Sequence, residues 1–171
     1  MKRRKLISLV TEETASAEAL RAVKAHTATG QRMTNMKWTM LHNVPLFEVM
    51  NQVMETANGQ LQGRIPRRAM IFYLYAIASG NDCAVCGGVF RKMVEEMGVE
   101  DFDSFDFTEE ERDLIDFAQA LTADPNHIPD EVYERLQSRY DEETLVVLVM
   151  NGVFSMASNY FNNITGVEPD L

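Results

Sequence analysis

Cys83 and Cys86 are the only thiols in the sequence, and they sit in the segment Ser79-Gly80-Asn81-Asp82-Cys83-Ala84-Val85-Cys86-Gly87-Gly88-Val89-Phe90. This spacing lets two sulfurs meet across one helical turn, so a disulfide can close with little backbone movement. A helix that opens here turns its unpaired backbone N–H groups and the positive end of its dipole toward both sulfurs. Such surroundings favour thiolate over thiol. Together these are the requirements of a reversible dithiol–disulfide couple. Asp82 works against activation, because a negative neighbour disfavours a second negative charge. Arg91 and Lys92 follow one to two turns later, and spacing alone does not decide whether they help.

Competing chemistry is poorly supported. A zinc site needs three or four N, S or O ligands from the protein. The chain offers this one pair and His26, His42 and His127, none of them adjacent to it, so no metal site is expected. An inert, buried cysteine pair is the bland alternative. Gly87-Gly88 is unusual inside a helix, where each Gly costs about 1 kcal/mol relative to Ala. Close helix–helix packing is the favoured explanation there, and close approach of a substrate or second thiol to Cys86 is the other.

The elements that must position the pair are helical throughout. Thr14 or Ser16 can cap a first helix that ends before Gly30. Asn35 to Leu41 reads as a short helix. Pro45 opens a helix expected to stop at Asn58-Gly59, and Pro66 opens another that Ser79-Gly80 closes. Asp82 is the expected cap of the next helix, which carries both cysteines in its first turn and ends at Gly98. Val99 to Phe107 forms an acidic, aromatic connector. Thr108 and Glu111 spell a capping box, followed by an apolar stripe of Leu114, Ile115, Phe117, Ala118 and Leu121. A short helix starts at Pro129-Asp130. The last helix, from near Asp141 to about Ile164, is the longest and most apolar, and is expected at the centre or at a subunit interface. The fold class is therefore all-α, a single-domain bundle of seven or eight helices over residues 1–171, with residues 1–12 as an N-terminal arm.

Composition sets the outer limits. A chain of 171 residues can bury a proper core. The net charge of −10 argues against nucleic acid, which needs a basic surface. No apolar stretch reaches the roughly 20 residues of a membrane span. The basic start Met1-Lys2-Arg3-Arg4-Lys5 is followed by too short an apolar stretch, Leu6 to Val10, for a signal peptide. A cytoplasmic protein that contacts neither membrane nor nucleic acid is expected, and a close cysteine pair there is redox-active or metal-binding more often than structural.

A CxxC that opens a helix straight after an apolar helix, in an acidic all-α chain, resembles the carboxymuconolactone decarboxylase-like family, and within it the AhpD-type alkylhydroperoxidase branch. Asn35-Met36 to Leu41-His42-Asn43-Val44-Pro45 is similar to an early motif of that family. Pro66-Arg67-Arg68 to Cys86 resembles its core motif. Phe107-Thr108-Glu109-Glu110-Glu111-Arg112, Ala120-Leu121-Thr122 and Phe161-Asn162-Asn163 with Gly166-Val167-Glu168-Pro169 resemble its C-terminal half. The resemblance implies a helical fold, assembly into dimers, trimers or hexamers, and a dithiol that reduces peroxides or disulfides with no organic cofactor. It also implies that Cys86 attacks the peroxide and Cys83 resolves. Position along the helix suggests instead that Cys83 is the more exposed sulfur.

The departures from the family pattern concern its proton relay. Phe90 and Val85 stand where the AhpD pattern has histidines, and Ile71 or Met70 stands where it has a glutamate. A positioned base contributes roughly 10²–10⁴-fold, so weak or altered turnover is expected. Tyr73, Tyr75, His42 and a bound water are the candidate substitutes, with Tyr75 and Phe90 as pocket residues. The leading expectation is a thiol oxidoreductase that takes a peroxide or disulfide and is recycled by an external thiol or dithiol. Behind it stand a binding or interaction protein that kept the fold without turnover and, third, a lactone decarboxylase-like enzyme.

Overall fold

The expected helix punctuation is realised in the computed structural model, which describes residues 4–170. Among them run eight helices: α1 (Ala17–Ala28), α2 (Asn35–Met40), α3 (Val44–Gln62), α4 (Arg67–Gly80), α5 (Ala84–Glu96), α6 (Glu109–Ala123), α7 (Asp130–Arg139) and α8 (Glu142–Thr165). Residues 1–3 of the basic arm, and residue 171, lie outside the described residues. Side-chain oxygens at Ser16, Thr34, Asn43 and Asp141 each accept a backbone N–H of the helix they cap, satisfying donors that a helix start leaves unpaired. The Thr108–Glu111 capping box is reciprocal, as its spacing requires.

One helix is longer than its sequence signals. α3 passes through Asn58-Gly59 and ends at Gly63. Asn58 is not a stop here because its Oδ1 accepts a hydrogen bond from Asn151 Nδ2 of α8 at 2.9 Å. That tie to a neighbouring helix outweighs the weak local preference of Asn and Gly for a turn.

The centre of the bundle is α4, buried without a gap from Ala69 to Leu74. It packs on α5, α6 and α8. Phe72 meets Phe102 and Phe107 of the connector edge-on, and Arg68 pairs with buried Glu111 at 2.8 Å. A smaller core, from Val10, Ala19, Ala22, Leu41, Val44 and Phe47, joins the arm to α1, α2 and α3.

α8 is not at the centre, one of its two expected places, and it has a second property that its sequence did not announce. First, its inward face carries, beside fully buried Leu148, the polar residues Asn151, Ser155, Ser158, Asn159 and Asn162, while Val146, Val149, Met150, Val153, Tyr160 and Ile164 are exposed. The most apolar helix is therefore peripheral and α4 is central. Second, it is the one helix among the described residues long and apolar enough, by length and composition, to cross a membrane, with a mean hydropathy of 1.4 over its best window. The sequence reading missed this because Asn and Ser interrupt every apolar run, although the average along the helix stays high.

Candidate dithiol site

The chain leaves α4 through a tight turn before α5 begins. Asp82 takes a positive φ of 47°, a left-handed conformation that Asp tolerates better than most residues. Its N–H donates to Ser79 O and the N–H of Cys83 to Ala78 O. The turn makes Cys83, and not the expected Asp82, the cap of α5. Sulfur here does what an oxygen does at the other caps, since Cys83 Sγ accepts the backbone N–H of Cys86 at 3.5 Å.

Cys83 is 2% exposed and Cys86 is half-buried. This reverses the sequence expectation that Cys83 would be the open sulfur. Asn162 of α8 reaches both sulfurs, its Nδ2 donating to Cys86 Sγ at 3.4 Å and to Cys83 Sγ at 3.8 Å. Asn163 and Asn159 clamp α8 to the same corner, donating to Asn81 O at 2.8 Å and Ile77 O at 3.5 Å. No disulfide joins the two sulfurs in this structure.

The pair is electrostatically unequal. Cys83 is drawn down from its ordinary 9.0 to about 6, first by a hydrogen bond from the Cys86 thiol, then by the Cys86 and Val85 N–H groups and the Asn162 amide, against the cost of burial. Cys86 is pushed the other way because its S–H serves Cys83, because it is buried and because Cys83 is charged. One proton therefore leaves the pair easily, and the second is held. Among the described residues no basic side chain contributes to either shift, so Arg91 and Lys92 do not activate the thiols.

The other site candidates go elsewhere, with one exception. Phe90 follows Cys86 by one turn on α5 and is half-buried against the main core, where it supplies an apolar wall. Tyr75 packs edge-on against Phe102 with ring centroids 4.8 Å apart. It lines a cavity of about 530 Å³ with Arg91, Glu95, Phe102 and Gln119, away from the sulfurs. Tyr73 is fully buried, and its hydroxyl donates to Leu148 O at 3.1 Å. His42 is exposed and bonds Ser8 O of the arm at 3.0 Å, so neither residue is a relay for the thiols. Ile71 and Met70 are core residues.

Gly87-Gly88 does not mark close helix packing. A Cβ added to either glycine meets nothing within 4 Å, so the flank of α5 beside Cys86 is open. Among the described residues no group of three or more His, Cys, Asp or Glu could hold a metal ion. Asn162 is the site residue that sequence reasoning missed. It stood only as one letter of a C-terminal motif, and nothing local signals that it reaches across to the thiols.

No protein-family model matches the chain, and no curated protein matches it in sequence. In three dimensions it is similar to the debrominase Bmp8 in its apo crystal structure, with a TM-score of 0.77 and 18% identity over 98% of this chain and 93% of that one. The chain thus shares an all-helical fold with that enzyme along nearly its whole length.

Proposed function

We propose that the protein is a dithiol oxidoreductase of the AhpD-like kind, which reduces a hydroperoxide or disulfide at Cys86 and closes a Cys83–Cys86 disulfide. The observation that carries this reading is the asymmetric pair: a buried sulfur that favours the thiolate beside a more accessible sulfur that keeps its proton. Cys83 can then take the role that a relay histidine would fill. As the Cys86 sulfur attacks the distal peroxide oxygen, the O–O bond breaks. The Cys86 proton passes by way of Cys83 to the departing alkoxide, leaving an alcohol and a Cys86 sulfenic acid. Cys83 thiolate next attacks that sulfur and displaces hydroxide, which leaves as water after taking a proton from solvent. An external dithiol returns the disulfide to two thiols and is itself oxidised.

Peroxide consumption driven by an external dithiol tests the reading. Cys86→Ser is expected to abolish turnover. Cys83→Ser is expected to slow the first step roughly 10²–10⁴-fold, as for loss of a positioned base, and to leave Cys86 as a sulfenic acid that a dimedone probe captures. Wild-type turnover in both single variants would rule out the dithiol as catalyst.

The fold shared with a debrominase favours one second reading. The same pair can deliver two electrons to a carbon–bromine bond, so that bromide leaves, carbon gains a proton and the two thiols become a disulfide. Bromide release that needs both cysteines, in a protein that does not consume peroxide, would select it.

A further inference from the structure

A thiolate in a protein interior normally leans on a cation, yet among the described residues no basic side chain contributes to the lowering of Cys83. Its support comes from neutral donors: two backbone N–H groups of α5, the Cys86 thiol and one side chain from another element, Asn162. Asn162 is 2% exposed, and its Nδ2 is shared between the two sulfurs. Its Oδ1 is buried with no hydrogen-bond partner. An interior amide left half-satisfied is destabilising, which makes it a poor structural bolt at a position where an apolar side chain could pack.

We propose that Asn162 is a catalytic residue of the dithiol centre: its amide N–H group holds the negative charge on whichever sulfur carries it, in place of a cationic relay. The inference rests on the dithiol reading of the site. Because one Nδ2 faces both sulfurs, the charge can pass from Cys83 to Cys86 during attack without losing its partner. By stabilising the reduced pair, the amide also makes the couple more oxidising.

The test compares full-length wild type with Asn162→Leu and with the near-isosteric Asn162→Asp. Thiolate absorbance is followed against pH, with iodoacetamide alkylation at pH near 6.5 and the disulfide's equilibrium with dithiothreitol as further readouts. In Asn162→Leu the first thiol pKa is expected to rise by about one unit or more, with alkylation at that pH slowed about threefold or more, a change of the order of a lost charge-assisted hydrogen bond. The dithiothreitol equilibrium should shift about tenfold toward disulfide, or about 30 mV. Asn162→Asp should raise the pKa further, since its carboxylate repels the thiolate, and it is the variant to read if the leucine protein does not fold. A folded variant whose pKa, alkylation rate and dithiothreitol equilibrium all match wild type overturns the assignment. These readouts need no peroxide. If they move while the wild type consumes no peroxide, the peroxidase reading fails and the Asn162 role stands. If they do not move while peroxide is consumed, only the Asn162 role is lost.

Discussion

Cys83 and Cys86 share one turn of backbone but not one environment, and the difference has a pH signature. The pair should ionise once with a midpoint near 6, giving one thiolate per chain at neutral pH, while the Cys86 proton stays on well past the ordinary thiol range. Stability of the reduced protein follows from the same asymmetry. A thiol depressed in the folded state adds stability that is fully present above the unfolded value of 9.0 and is lost as pH falls through about 6. Cys86, raised by folding, acts in the opposite sense, so its contribution is fully present below 9.0 and is lost at higher pH. Calorimetry of the reduced protein should therefore show Tm rising from pH 6 toward 9 relative to Cys83→Ser. A flat difference across that window would mean that Cys83 does not hold the charge.

At the scale of the element, two helices expose glycines to opposite constraints. Gly88 lies inside α5 with open space around it, so Gly88→Ala should gain helix propensity and stabilise by about 1 kcal/mol. Gly152 lies where α8 crosses α4, and a Cβ there would stand 3.0 Å from Leu121 Cδ2 and closer still to the Tyr73 hydroxyl. Gly152→Ala must push Tyr73 off its hydrogen bond to Leu148 O or part the helices, at a cost of about 1–3 kcal/mol. Urea unfolding of the two variants should give changes of opposite sign. If Gly88→Ala instead destabilises, the flank beside Cys86 is not open.

At the scale of the whole molecule, most of the exposed large apolar side chains among the described residues lie on α3 and α8. Leu46, Val49, Val146, Val149, Met150, Val153 and Ile164 are exposed. An apolar groove of about 390 Å³ runs between the two helices, walled by Val53, Ala57, Val147 and Phe154. Apolar faces of this extent mark association surfaces. Sedimentation of wild type at micromolar concentration is expected to show a homo-oligomer, and Val146→Glu with Val153→Glu to weaken it. A wild-type monomer at that concentration would remove the expectation.

Local chemistry wrote much of this molecule into the sequence. The caps at Ser16, Thr108 and Asp141, the prolines and the periodic apolar stripes set eight helices in order, because each signal acts within a turn or two of the backbone. The CxxC at a helix start was legible for the same reason. Tertiary structure alone brought Asn162 to the two sulfurs, because it lies 79 positions from Cys83 along the chain. It also sent Tyr75 to the connector cavity and His42 to the arm, two residues whose sequence neighbourhoods gave no sign of their partners. For α8, periodicity could not say which face would turn inward: its polar residues serve α3, α4 and α5, and its apolar face is left outside. That choice depends on the sum of contacts over the whole bundle, and no single stretch of sequence contains it.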